Sequence, residues 1–288
     1  MDFQGKSAVI TGAASGIGYA LAEHAAARGM PLVLADVEAE ALAGAQARLS
    51  DAGARVVAVP TDVSQRGDLE ALAERSYAAF GDVGLLCNNA GVSVLITRPV
   101  WELSHDDWEW VIGVNQWGLI HAVRAFLPRM MEQENPSHML NTCSSAGLIS
   151  SPGLAAYKAS KHATLSISES LYHDLAAASS RVGVSVFCPD VVKTGLRHAA
   201  RNRPAHLGDE LPATPEQAAD EKAREASPGL SPGEAAEIAM QGVDSGRFYI
   251  FTSDWPLGAV AERVEDMGKG VPRSMRLNSD GTMGGDDQ

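Results

Sequence analysis

The chain predicts an α/β fold, a doubly wound parallel sheet of about seven strands with helices on both faces. Three observations carry that expectation. Short apolar, β-branched runs alternate with longer stretches of helical periodicity from residue 6 to residue 251. A glycine-rich turn, Gly12-Ala13-Ala14-Ser15-Gly16-Ile17-Gly18, joins the first run to the first helix. The second run ends on a carboxylate, Asp36, eighteen residues after Gly18. Strands joined by helical crossovers run parallel, and such sheets bind ligands beyond their carboxyl ends.

In chain order, residues 6–11 are the first strand and 19–29 have helical spacing up to Gly29. Glycines between them let the backbone turn sharply and let a pyrophosphate approach the helix N-terminus, whose unpaired N–H groups favour anions. Residues 32–35 form the second strand and lead to Asp36. A carboxylate there accepts the ribose hydroxyls of a bound dinucleotide; the competing reading is a cap for the helix at 38–50. Asp36 also repels a 2′-phosphate, and no arginine directly follows it, so NAD is favoured over NADP. Strand three is 55–59, a helix covers 65–80, and strand four is 85–88. Asp62 and the turn Asn88-Asn89-Ala90-Gly91 fall at strand ends. A long helix is expected over 106–131, capped by Ser104; Asn115 inside it is a poor interior helix former, which suggests an irregularity or a polar task.

Strand five, 139–143, delivers Ser144, and a helix over 155–178 carries Tyr157 and Lys161. Four residues apart, these two share a helix face, so the ammonium is expected to reach the phenol and lower its pKa from about 10. The phenol could then exchange a proton with a substrate hydroxyl, and Ser144 could donate to the same oxygen. Taken alone, the Tyr-x-x-x-Lys pair is equally consistent with an ordinary surface helix. Strand six is 184–188 and ends in Pro189-Asp190-Val191-Val192-Lys193-Thr194.

Residues 195–232 break the pattern with proline, charge and alanine, apart from one helix expected near 216–225. A loop this long, leaving the sheet at its carboxyl edge, reads as a substrate lid at about 195–230. Ser231 opens another helix, and 248–251 is the last strand. The domain is therefore drawn at 1–255, with 256–288 a tail that is partly disordered or lies at a subunit interface.

The 288 residues are 45% hydrophobic, enough for one large core. A net charge of −13 argues against nucleic acid or an anionic membrane as partner and favours small molecules. No leader-like segment or membrane-length apolar run is present in the sequence, so a cytoplasmic location is expected. Cys87, Cys143 and Cys188 lie in or beside apolar runs and read as reduced core thiols; the eight histidines show no ligand spacing, so no metal is expected.

Thr11-Gly12-x-x-x-Gly16-Ile17-Gly18, Asp62-Val63, Asn88-Asn89-Ala90-Gly91, Asn115, Ser144, Tyr157-x-x-x-Lys161 and Pro189-x-x-Val192-x-Thr194, in this order and spacing, resemble the short-chain dehydrogenase/reductase family in its single Rossmann-domain form. The likeness covers most of the chain. It implies Tyr157 as catalytic acid/base and Ser144 as the group orienting the substrate oxygen. Lys161 would bind the nicotinamide ribose and lower the tyrosine pKa, and Asn115 would hold a relay water. It implies cofactor contacts from Gly12, Ser15, Gly16, Ile17, Gly18, Asp36, Asp62, Val63, Asn89, Ala90, Gly91, Tyr157, Lys161, Pro189, Val192 and Thr194. It implies a homodimer or homotetramer built through the helices bearing Asn115 and Tyr157. Two positions depart from the family pattern: Asp190, where glycine is usual, and Gly84, where aspartate is common.

Residues 247–252 and the long lid also resemble family members that oxidise bulky secondary alcohols, including aryl Cα-alcohols and terpenoid alcohols. A large, partly apolar substrate is expected, with Val92, Val94, Leu148, Leu154 and Leu196 as candidate walls and Asp190 at the pocket edge. Arg197, His198, Arg201 and Arg203 could form a positive patch for a carboxylate, although a solvated cluster is the plainer reading. Trp101, Trp108, Trp110 and Trp117 read as core or subunit packing. Two other functions remain open at this point: a catalytically silent NAD sensor or scaffold, and an epimerase or dehydratase that recycles bound NAD.

Overall fold

The computed structural model describes residues 3, 5–94, 97–209, 211–272, 275–277 and 283–285. Seven parallel strands form the sheet: β1 (Ser7–Thr11), β2 (Leu32–Asp36), β3 (Val56–Pro60), β4 (Val83–Asn88), β5 (Ser137–Thr142), β6 (Val182–Cys188) and β7 (Tyr249–Phe251). Their order is β3-β2-β1-β4-β5-β6-β7, so the winding reverses between β1 and β4. This is the Rossmann arrangement, and its binding crevice opens at the reversal.

Side-chain alternation explains why both faces are covered. On β1, Ala8 and Ile10 join the core shared with α1 (Gly16–Ala27) and α8 (Pro232–Asp244). Val9 points to the opposite core, where Leu69 and Leu72 of α3 (Arg66–Phe80), Phe126 of α5 (Gly118–Glu132) and Leu171 of α6 (Ala155–Ala177) pack. α2 (Ala39–Asp51) closes the far edge. Gly84 lies inside β4, and a side chain there would meet Lys6 Cβ at 2.6 Å, which accounts locally for the missing aspartate.

The helix expected over 106–131 is interrupted. It runs as α4 (His105–Ile112), a π-helical turn (Gly113–Trp117) and α5, and Asn115 sits in that turn. The cap at Ser104 is a full capping box with Asp107. Beyond β6 the stretch expected as a lid folds as two 3₁₀ segments, Gly195–Asn202 and Ala205–Leu207, followed by α7 (Pro215–Glu225).

The segment expected as a tail after residue 255 begins with a helix, α9 (Trp255–Gly268). Its buried side is narrow, with Pro256 and Ala259 covered while Leu257, Val264 and Met267 are exposed, so apolar periodicity was a weak signal. A hairpin of β8 (Met275–Leu277) and β9 (Met283–Gly285) follows; most of the expected tail beyond 272 lies outside the described residues. Trp110 is buried, while Trp101 is 81% exposed on this chain.

His138 on β5 is buried and its Nε2 lies 2.7 Å from Ser185 Oγ, which donates to the Arg247 carbonyl; Nδ1 has no partner among the described residues. Burial pushes its pKa down to about 4, against 6.5 when free. Below pH 6.5 the unfolded chain binds this proton and the native chain does not. Stability is therefore expected to be full above that pH and to fall by about 3 kcal/mol as pH drops from 6.5 to 4. Melts of the protein and of His138→Gln across that range check it; the histidine contribution is the part of the slope that the variant loses.

Candidate functional site

A cleft of about 390 Å³ lies over the carboxyl ends of β1, β2, β4, β5 and β6, and residues of the Gly195–Asn202 segment line it too. Its walls include Gly12, Ser15, Gly16 and Ile17 at one end and Ser144, Tyr157 and Lys161 at the other. Asp36, Asp62, Val63, Asn89, Ala90, Gly91, Pro189, Val192 and Thr194 line it too, so one surface gathers residues from strand ends far apart in sequence. Gly18 and Asn115 lie behind it.

The glycine turn is dictated by space. Gly12 (φ +67°) and Gly16 (φ +56°) hold backbone angles that side-chain-bearing residues rarely adopt. A Cβ on Gly12 would lie 2.9 Å from Ala90 Cα, and one on Gly18 would lie 2.0 Å from the Gly12 carbonyl oxygen. The turn packs directly on the Asn89 loop, whose backbone donates to Thr11 Oγ1 from Asn89 (3.0 Å) and Ala90 (3.1 Å). The N-terminus of α1 has no side-chain cap, so its leading N–H groups are available to an anion. Asp36 accepts from the backbone of Ala14 (2.9 Å) and Glu38 (3.0 Å), yet burial outweighs these bonds and raises its pKa. Its carboxylate lines the cleft with each oxygen held by one backbone N–H, which leaves lone pairs for ribose hydroxyls. These residues fit a dinucleotide: an open cradle, a helix N-terminus and a carboxylate, in line along one cleft.

At the other end Ser144 lies beside the Tyr157 hydroxyl, near enough to draw its pKa down, and its own Oγ accepts from Ala146 N (3.1 Å). The expected effect of lysine on tyrosine is corrected here. Lys161 Nζ sits over the Tyr157 ring, 5.7 Å from its centre, and donates to the Thr142 carbonyl (2.9 Å). Burial dominates, and the phenol is pushed up to about 12 with only Ser144 opposing. The same burial lowers the pKa of Lys161. The spacing put the two residues on one face, but the backbone carbonyl at the end of β5 decides where the ammonium rests.

Asn115 ties the site together from below. Its Oδ1 accepts from Val92 N (2.8 Å), and its Nδ2 donates to Val92 O (2.9 Å) and Ser160 Oγ (2.9 Å); Ser160 in turn donates to the Tyr157 carbonyl (2.7 Å). The π-helical turn lets Asn115 reach both the loop at Val92 and α6 at Ser160. Beside it a cavity of about 10 Å³ is lined by Asn88, Asn115, Thr142 and Thr164, and the buried Asn88 Oδ1 has no partner among the described residues. That is close to the space one water needs.

Of the expected substrate walls, Val92, Leu154 and Leu196 line the cleft. Val94 and Leu148 do not: Val94 packs into the core with Trp110 and Val111, and Leu148 packs against Ile149 and Cys143. Leu154 reaches the cleft from a left-handed backbone (φ 55°), behind a turn that Lys158 clamps through the carbonyls of Ser151 (2.6 Å) and Gly153 (2.7 Å). Arg201 and Arg203 are not a patch for a carboxylate substrate. Arg201 pairs with Glu38 (2.6 Å), and Arg203 is buried against Asp107 (2.7 Å) and over the Trp110 ring. Cleft residues that the pattern did not flag, among them Thr142, Cys143, Trp110, Ala199 and Pro204, are brought in only by folding.

Asp190 lines the cleft, but its carboxylate is already engaged by Ser145 (3.4 Å), Ser253 (3.5 Å) and the indole N–H of Trp255. It joins the turn after Ser144 to the start of α9. Arg263 of α9 reinforces that joint by donating to Leu148 O (2.8 Å). Asp190→Asn is expected to cost about 1–2 kcal/mol of stability and to raise KM for substrate more than it lowers kcat, as read by denaturant melts and steady-state kinetics.

Comparison with known proteins agrees with this geometry. Residues 6–205 match the family model described as short chain dehydrogenase. The chain is 35% identical over 276 residues to a 1-deoxy-11-beta-hydroxypentalenate dehydrogenase of Streptomyces avermitilis, covering 95% of this chain and 94% of that protein. It is 33% identical over 265 residues to a C alpha-dehydrogenase of a Sphingobium species, covering 92% and 84% respectively. A short chain dehydrogenase/reductase from Burkholderia phymatum, solved in complex with NAD, matches with a TM-score of 0.91 at 44% identity over 96% of this chain and 99% of that one.

Proposed function

This chain belongs to the short-chain dehydrogenase/reductase family, and from that premise we propose that it is an NAD-dependent enzyme interconverting a secondary alcohol and a ketone on a bulky, partly apolar substrate. The observation that carries the reading is the single cleft that joins the glycine cradle and Asp36 to Ser144, Tyr157 and Lys161. NAD, when bound, supplies the hydride acceptor and a positive charge on its nicotinamide ring. Gly12, Gly16 and the α1 N-terminus would hold the pyrophosphate, Asp36 would take the adenosine ribose, and Val192 and Thr194 would position the carboxamide. Tyr157 moves the proton at the substrate oxygen, and Ser144 donates to that oxygen and keeps the phenol aimed at it. A phenol held near 12 is protonated at neutral pH, which suits it to protonate a ketone oxygen. To act as a base it needs added positive charge, and Lys161 is the chain's own source. Asn115 fixes the loop at Val92 and the helix at Ser160, and the small cavity beside it gives a relay water a polar seat.

Val92, Trp110, Leu154, Leu196, Ala199 and Pro204 give the substrate end an apolar wall. That wall, and relatives named for a hydroxypentalenate and a C alpha position, support a bulky alcohol. The test is NADH formation with NAD and separately with NADP against secondary alcohols from small aliphatic to aryl and terpenoid. Turnover with NAD that rises with apolar bulk is the expected result; NAD binding with no turnover of any alcohol overturns the proposal.

A further inference from the structure

Glu38 follows Asp36 by two residues, and its backbone N–H is bonded to the Asp36 carboxylate. Its own carboxylate is held from across the cleft. Arg201 donates from Nε to Oε2 (3.1 Å) and from Nη2 to Oε1 (2.6 Å), and Asn202 donates to Oε1 (2.9 Å). The lid fixes the guanidinium from behind, through bonds from Nη1 to the carbonyls of Gly195 (3.0 Å) and His198 (2.7 Å). Asp36, Glu38, Arg201 and Asn202 all line the same end of the cleft. An arginine thus stands beside the ribose carboxylate although none is near it in sequence.

We propose that Glu38 is a cofactor-selectivity residue: by gripping Arg201 it withholds from the ribose end of the cleft a guanidinium that would otherwise receive a 2′-phosphate. This rests on the NAD preference argued from Asp36. A planar arginine fork binds phosphate and carboxylate by the same paired bonds, so Glu38 occupies the donors a phosphate would use. Asp36 repels the phosphate, and Glu38 disarms a counter-charge that lines the same cleft. Both partners of the latch are partly exposed, 40% for Arg201 and 27% for Glu38. Such a pair adds little to folding stability, so variants at either position are expected to fold.

The test is the binding of NADH and NADPH, followed by the fluorescence of the reduced nicotinamide, which needs no substrate. Wild type is expected to bind NADH more tightly. Glu38→Gln is expected to improve NADPH affinity about tenfold relative to NADH. Arg201→Ala alone gives no such gain, and the double variant Glu38→Gln/Arg201→Ala loses it. If wild type prefers NADH but Glu38→Gln leaves the ratio unchanged, or if the gain survives in the double variant, the role of Arg201 is overturned and the Asp36 argument stands. If wild type binds both equally, the NAD preference itself falls, and the proposal with it.

Discussion

Replacing Tyr157 by phenylalanine is expected to lower kcat for alcohol oxidation by about 10³-fold, within the range that general acid–base catalysis supplies. The change removes one oxygen. The ring remains under Lys161, and its packing against the core of Val92, Trp110 and Ala156 is retained. Cofactor affinity and melting temperature should therefore stay near their wild-type values, so that the loss is one of proton transfer alone. A pH profile sharpens the test. The base form of the phenol is needed for oxidation and the acid form for reduction, and burial sets the pKa of the uncomplexed site at about 12. Oxidation is expected to climb with pH on the acid side of the apparent pKa of the complex, while reduction is flat until that pKa is reached. The residual rate of Tyr157→Phe should show neither limb of that dependence. A loss of less than tenfold would remove Tyr157 from the acid/base role.

Arg203→Leu is expected to destabilise the protein by about 3 kcal/mol or more, because it leaves the carboxylate of Asp107 buried without its cation. The two side chains are only 5% and 3% exposed, and Arg203 also donates to the carbonyls of Gly208 (2.7 Å) and Leu207 (3.2 Å). Asp107 keeps its bond from Ser104 N (2.9 Å), so the α4 cap survives the substitution. What is lost is the attachment of the lid to α4. Calorimetry should show a melting temperature lower by several degrees, and KM for a bulky alcohol should rise more than KM for NAD. The double variant Asp107→Asn/Arg203→Leu, which removes both charges, should recover part of the stability; no recovery would mean that the cost lies in packing over Trp110 and not in the unpaired charge.

The order of strands and helices was readable because each element has its own local cause. Val9 facing one core while Ala8 and Ile10 face the other is an alternation visible in SAVIT. The glycine turn was readable because only glycine fits where Gly12 and Gly18 meet carbonyl and loop. Asn115 stood out as a poor interior helix residue, and the π-helical turn is the reason. α9 was missed because its narrow buried face gave little periodicity and its partner, the loop of Leu148 and Ile149, lies more than a hundred residues away.

By itself, then, the sequence determined the fold class, the family, and the glycine, aspartate, serine, tyrosine and lysine positions that meet in one cleft. These depend on backbone space and on spacing along a helix or strand, which neighbouring residues carry. Only the tertiary structure decided where charges rest: Lys161 on the Thr142 carbonyl, Arg201 on Glu38, Arg203 on Asp107 and Asp190 under Trp255. A long charged side chain takes whichever partner folding brings within about 3 Å, and burial around that partner sets its pKa. Neither is written in the residues beside it.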